Sequence, residues 1–422
     1  MNLEWKRLKA VVIESDDWGL CAWSPDEHAL RVLADTPAFR TPAGRRYGSS
    51  TLESADDVRR LAATFAEFRG GDGFAPVLQA NTVMAAPVFE RLRPPSFELA
   101  ELPLSLPVEA SSRWNRPGLG AAVDEAIAEG VWWPELHGLH HLPESAWLTA
   151  LRRGAADARR AHEQHSPVCE AVEASGEYDG QEPRDLRRRN IARAFDRFAA
   201  RFGRRPASMC PPDYRWDEAL ESDLEALGLT TVQGLGEQVG HRFAKLRRVA
   251  LRHQWPHRRG NRFYLPPRIA FEPGAWEGGE PARAMESVRR RVRDAWNLGH
   301  PAILSTHRLN YAQLQPERAA AGRTAFRDML SRLVQDGAVF LTDTEVRQLD
   351  ERGWSVRETG RSGAILRYYG VPREPVRFAA PADATSASIR DGRGAGDSDL
   401  RIEQGQVIAR LNVGEYRIVW GR

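Results

Sequence analysis

The chain has 422 residues, too many for one small core and enough for a large α/β domain with a smaller companion. Its residues are 42% hydrophobic and 28% charged, the balance of an ordinary soluble globular protein. A formal charge of only +3, from 60 basic and 57 acidic side chains, argues against a nucleic-acid surface.

The basic residues are nearly all arginine. The runs at 187–189 and 289–291 read as solvated helix faces. Cys21, Cys169 and Cys210 are odd in number and far apart, which argues against a disulfide framework or a structural zinc knuckle. No signal-peptide core opens the chain. No run approaches the roughly 18 apolar residues of a membrane span, so a cytoplasmic location is expected.

The first strand is expected over residues 8–13, apolar apart from Lys9, and it runs into Glu14-Ser15-Asp16-Asp17-Trp18-Gly19. A long polar connection, 24–50, has the length of a functional loop. Ser54 then reads as the cap of a helix over 56–68, stopped by Gly70-Gly71. A strand at 74–80 exits at Asn81-Thr82, with a weaker one around 97–104. A helix over 121–128 precedes the strand 131–136, which delivers His137-Gly138-Leu139-His140-His141. From Pro143 one long helix is expected to about 160.

Helix 184–202 leads to the strand 206–210 and the exit Pro211-Pro212-Asp213-Tyr214. Helix 217–227 and short strands at 230–233 and 262–265 follow, the last running into Pro266-Pro267-Arg268. Helix 282–298 leads to the strand 302–305, whose exit holds Thr306-His307-Arg308. Helix 316–335 and strand 338–342 complete about seven strand–helix alternations, the pattern of a parallel sheet in a barrel or an open doubly wound fold. Past about 350 the pattern becomes short alternating runs at 365–369, 375–378, 386–389, 407–411 and 416–420, with a glycine-rich turn at 391–396. The organisation expected is therefore an α/β domain over 1–350 and a small all-β domain over 351–422, a sandwich by preference. Substrate contact, dimerisation and covering one end of the barrel are all roles open to it.

Two adjacent aspartates repel unless a cation or a shared proton relieves them. Asp16-Asp17, the three histidines at 137, 140 and 141, and His307 each follow a strand, so in one sheet they share a face. His137 and His141 are four apart, which on a helical turn aligns their rings to grip one ion. Two neutral imidazoles and a carboxylate make a three-ligand site with an open position. A metal there lowers the pKa of a water toward ~7 and polarises a carbonyl. Asp17 is then the ligand and Asp16 the general base.

On these motifs the chain resembles the polysaccharide deacetylase superfamily, carbohydrate esterase family 4 and its relatives. The resemblance covers roughly residues 8–345. It implies a distorted (β/α)7 barrel that removes N- or O-acetyl groups from sugars with a divalent metal, usually zinc. The segment from Ile13 to Gly19 stands in place of the family's strand ending in Asp-Asp-Gly, which makes Asp16 the base and Asp17 a metal ligand. His137 and His141 match His-x-x-x-His and become the other ligands, and Ser305-Thr306-His307 supplies the general acid, His307. Two departures stand out. Trp18 is inserted before Gly19, and the third motif, Cys210-Pro211-Pro212-Asp213-Tyr214, lacks the arginine that orients the catalytic aspartate; Arg215 or Arg268 are the substitutes on offer. A backbone N–H near Asp213 or Tyr214 is the expected oxyanion donor.

Trp18, Asp213, Tyr214 and Arg268 are the expected substrate-binding residues, with Trp133 and Trp255 as further stacking surfaces. The expected substrate is an acetylated sugar or oligosaccharide, such as a precursor in surface-polysaccharide metabolism, or an acylated small molecule. Three alternatives stay open at this point. They are a non-haem iron enzyme using the same ligand set, a non-catalytic carbohydrate-binding relative, and a glycosidase using Glu14 or Glu135 with Asp16.

Overall fold

The computed structural model describes residues 3–98, 101–110, 112–173, 176–234, 238–239, 246, 249, 255–276, 280–360, 363–391 and 399–421. Most of the expected turn at 391–396 lies outside them, as do residues 99 and 100 of the weaker strand; of its described residues only Leu104 is in a strand, Leu104–Ser105, paired with Ala86–Pro87.

The large sheet has ten strands: β1 (Ala10–Trp18), β2 (Leu78–Thr82), β3 (Trp132–Leu136), β4 (Ser208–Met209), β5 (Thr231–Val232), β6 (His257–Arg259), β7 (Arg262–Tyr264), β8 (Arg268–Ala270), β9 (Ala302–His307) and β10 (Val339–Leu341). Their order is β8-β9-β1-β2-β3-β4-β5-β7-β6, with β10 also paired to β1. Every pairing is parallel except β6 with β7. Among the described residues no pairing joins the two ends of this path.

The apolar run that begins β1 is fully buried, as a parallel strand covered on both faces must be. The residues that follow it along the strand are polar. Glu14 and Asp16 on β1 lie beside Ser305 and His307 on β9, and Glu14 lies beside Gln79 on β2. These side chains meet in a buried hydrogen-bonded layer. Asn81 and Gln233 exchange amide bonds at 2.7 and 3.0 Å, and Gln233 also donates to Ser208 Oγ at 2.9 Å. Gln79 donates to Asp343 at 2.6 Å. Burial without partners would make such a layer costly, and mutual bonding is what allows it inside the fold.

Several elements differ from expectation. The helix from Pro143 is two helices, Glu144–Arg152 and Ala156–Glu163, because Gly154 between them takes φ +75°. The polar connection 24–50 carries three short helices, Glu27–Leu33, Pro37–Arg40 and Pro42–Tyr47. β8 is an unforeseen strand: Pro266-Pro267 reads as a break, yet pairing to β9 continues the sheet directly after it. Arg187 is not on a solvated face; it is buried and donates to Asp217 at 3.1 Å. Helix Asp343–Arg352 follows β10, held at its start by a Thr342/Glu345 capping box.

The chain beyond it forms two antiparallel sheets. One joins β11 (Trp354–Thr359), β12 (Gly363–Tyr368), β17 (Gly414–Gly421) and β14 (Ser386–Asp391), and the other joins β13 (Pro375–Ala379), β16 (Gln406–Arg410) and β15 (Asp399–Glu403). Leu366, Tyr368 and Ile418 from the first pack with Val376, Val407 and Ala409 from the second in one apolar cluster.

Candidate metal and catalytic centre

Consecutive strand residues normally point to opposite faces. At Asp16-Asp17 the β1–β2 register shifts between Ser15 and Trp18, and Asp17 takes φ +73°. That irregularity aims both carboxylates into one mouth, a common use of bulges beside sites. Trp18, the inserted residue, turns inward instead. It is 1% exposed, donates to Ser15 Oγ at 2.9 Å and packs edge-on to Trp132 at 4.5 Å. Trp18 therefore presents no face to substrate, and the expected stacking role is corrected. Trp133 lies against Arg204 and Trp255 against Trp5, so neither reaches the site.

His137 and His141 are not on a helix. They sit in a turn that precedes Glu144–Arg152, with Gly138 at φ +87° and His141 at φ +61°. The buried Glu177 carboxylate organises this turn. It accepts from the backbone N–H of Leu139 at 3.1 Å, His140 at 3.2 Å and His141 at 2.9 Å. A Cβ on Gly138 would lie 2.6 Å from Glu177 Oε2 and 2.9 Å from Pro212, so the close approach of carboxylate to backbone requires glycine there. His140 points away, its Nε2 against Glu144 at 3.2 Å.

His137 Nε2 and His141 Nε2 stand 3.3 and 3.6 Å from the same atom, Asp17 Oδ1. One ligand atom from each of the three residues lies within 4.8 Å of the others. The donor set fits a divalent cation with borderline preferences. His137 Nδ1 bonds the Cys210 carbonyl at 2.7 Å, which fixes the ring's orientation and turns Nε2 toward Asp17, where a bound cation would replace its proton. Burial alone would raise the Asp17 carboxyl, but the hydrogen bond from His137 and the neighbouring histidine charges hold it well below the usual carboxylate range. Asp16, His137 and Cys210 also lie within that spacing, but both Asp16 oxygens are already hydrogen-bonded.

Asp16 receives Arg268 Nη1 at 2.6 Å and Nη2 at 3.2 Å, with Asn81 at 2.6 Å. Burial pushes its carboxyl up; the guanidinium and the charges of His137 and His307 outweigh this and keep it ionised. Arg268 is itself buried, bonded to Glu14, to Tyr214 Oη at 3.0 Å and to Gln233 at 2.7 Å. It lies beneath the carboxylates and does not line the cavity, which corrects its expected place as a substrate contact. It takes the position the third motif left vacant; Arg215 pairs with Asp179 instead. Glu14 is raised well above its ordinary range, chiefly by burial, against the lowering charge of Arg268. Glu14 and Glu135 are both fully buried, which removes the glycosidase pair.

His307 Nδ1 bonds Glu272 Oε1 at 2.6 Å, and Glu272 Oε2 is held by Arg46 and Asn310, both at 2.8 Å. Burial would lower the His307 pKa, but Glu272, with Asp17 and Asp16, pushes it up to about 9. Asp17, His137, His141, Asp213, Tyr214 and His307 all line one cavity of about 440 Å³. The Tyr214 N–H is committed to the Pro211 carbonyl at 3.0 Å. Trp23 and Tyr47, which the sequence reading passed over, also face this cavity, stacked on each other at 5.9 Å. The length of the connection 24–50 was the only signal for Tyr47, and Trp23 lies just before it.

Fold and site together define the class: a mixed α/β protein whose parallel strands deliver an Asp-Asp pair, two histidines four apart and a late histidine to one cavity. No family model and no curated protein matches the chain. Among solved structures, it aligns with a protein from Mycobacterium smegmatis assigned as a polysaccharide deacetylase, at 14% identity over 81% of this chain and 91% of that one, TM-score 0.40. It also aligns with Agd3, a carbohydrate deacetylase, at 10% identity over 98% and 65%, TM-score 0.41. A mutant of BA3943, a CE4 family pseudoenzyme, aligns at 10% identity over 81% and 67%, TM-score 0.36. These likenesses are too remote to carry an activity across, and the case for one rests on the site.

Proposed function

We propose that the protein is a metal-dependent hydrolase that removes an N- or O-linked acyl group, acetyl in the simplest case, from a sugar or glycan precursor. The distorted (β/α)7 barrel and a boundary near residue 350 belong to the same reading. The observation that carries it is the convergence of Asp17, His137 and His141 beside an Asp16 held ionised by Arg268.

Asp17, His137 and His141 would hold the cation, zinc by preference for two imidazoles and a carboxylate. Such an ion would supply Lewis acidity and a more acidic water. Asp16, anionic and fixed by three hydrogen bonds, accepts the proton of the attacking water. His307, cationic at neutral pH with Nδ1 taken by Glu272, offers its Nε2 proton to the departing amine or alkoxide. Tyr47, stacked on Trp23, gives the cavity an aromatic face suited to a sugar.

The test is an assay of acid release over a panel of N-acyl and O-acyl sugars with zinc supplied, run beside Asp16→Asn. Release that is lost in the variant, with metal still bound, supports the assignment. Equal turnover in the variant removes Asp16 from the mechanism. Metal binding without release by the unaltered protein would favour the non-catalytic relative.

A further inference from the structure

The cavity is larger and more apolar than an acetyl group needs. A methyl is close in size to a water, ~30 Å³ in the liquid, whereas the cavity holds about 440 Å³. Its polar lining comes from the metal triad, from Asp16 and His307, and from Arg46, Tyr47, Asp213 and Tyr214. The rest of the wall is largely apolar and includes Leu20, Trp23, Ala43, Leu142, Val168 and Val172.

Those six residues come from segments fastened to one another. Trp23 and Val168 pack on a single apolar cluster with Leu33 and Phe39. Ser166 Oγ donates to the Ala22 carbonyl at 2.8 Å, tying the segment after β1 to the one before Val168. Leu142 follows the ligand His141 directly and packs in the main core with Val172. The apolar wall thus begins at the metal triad, where the scissile carbonyl must lie. A sugar ring needs hydrogen-bonding partners that such a wall does not offer, whereas a hydrocarbon chain gains from each methylene it buries.

Resting on the hydrolase reading, we propose that the acyl group this site accepts is longer than acetyl, its chain lying along Leu20, Trp23, Leu142, Val168 and Val172. The substrate class is then an N- or O-acylated sugar with a short to medium fatty acyl chain.

The test measures binding and turnover separately on the full-length protein, using glucosamines N-acylated from acetyl to octanoyl. Calorimetry on metal-free protein reads the wall alone; N-octanoylglucosamine is expected to bind at least about tenfold tighter than the acetyl compound, a modest fraction of what six buried methylenes can give. Ala43→Phe and Val168→Trp, which fill the wall from two sides, should abolish that preference. Equal or weaker octanoyl binding overturns the proposal, as does an octanoyl preference that neither filling variant alters. With zinc present, octanoate release should exceed acetate release at equal low substrate, and faster acetate release overturns it. Chain-dependent binding that the filling variants abolish, with no acid released from any compound, keeps the acyl wall and discards the hydrolase instead.

Discussion

The Arg268 guanidinium grips both carboxylate oxygens of Asp16, at 2.6 and 3.2 Å, from a strand more than 250 residues further along the chain. A fork of this kind holds a carboxylate's orientation as well as its charge. Arg268→Lys is expected to keep the chain folded and lower kcat at least about tenfold, since one ammonium cannot hold both oxygens. Arg268→Met leaves Asp16 buried and unpaired, at a cost of about 3–5 kcal/mol. Denaturant unfolding and acid release check the pair; a lysine variant with unaltered kcat would show that the fork does not position the base.

His307 sets the alkaline limit. Its pKa of about 9 depends on Glu272, so the acid form persists through neutrality and activity should fall as pH rises past 9. Glu272→Gln removes the main raising charge and should move that limb of kcat/KM toward the ordinary histidine value near ~6.5. The same shift appears in stability. A histidine raised on folding stabilises fully below its unfolded pKa, and the gain is lost as pH climbs through about 9. Thermal melts at pH 6 and 10 should therefore differ less in Glu272→Gln than in the unaltered chain.

Glu177 is a positioning residue for the metal ligands, through the three N–H groups of the His137–His141 turn. Glu177→Gln replaces one acceptor oxygen by a donor and should weaken zinc binding about 10- to 100-fold, the usual scale for outer-shell partners. Equilibrium dialysis against a chelator measures it, with circular dichroism as the check on folding. Unchanged affinity would mean the turn keeps its shape without the carboxylate.

Zinc added to metal-free protein should raise the melting temperature, equivalent to about 2.7 kcal/mol at a hundredfold excess over Kd. His141→Ala should abolish that rise without lowering the baseline melt substantially, because His141 is half-buried and its ring partners are the site's own residues. A rise that survives in the variant would place the ion elsewhere.

Arg367 on β12 is fully buried, bonded to Asp72 at 2.6 Å and to Glu345, which also forms an ion pair with Arg357 at 3.1 Å. Arg367→Met strands the buried Asp72 and leaves Glu345 with Arg357 alone, and should cost about 3–5 kcal/mol, whereas Arg401→Met, on an exposed pair, should change stability by under about 1 kcal/mol. Urea unfolding of both variants tests the contrast.

The strands that carry chemistry were readable in advance because a covered parallel strand needs a continuous apolar run, and the polar residues that break each run mark its exit. That reasoning located Asp16, Asp17, His137, His141, Asp213, Tyr214 and His307, all of which line one cavity. It misjudged the aromatics, since nothing in a local pattern tells a tryptophan packed on Trp132 from one facing solvent, and burial depends on neighbours distant in sequence. The helical reading of the His-x-x-x-His pair failed for a related reason: a spacing of four also suits a turn wrapped round a carboxylate, and Glu177 lies 36 residues beyond His141.

Local pattern thus sufficed for the alternation of strands and helices, the change to β structure near residue 350, and the residue types that meet at the sheet's mouth. Which arginine serves Asp16, which aromatics face the cavity and which acid orders the histidine turn were decided by folding alone. Each is a pairing across long stretches of chain, and such pairs are selected by the geometry of burial, which leaves no periodicity to read.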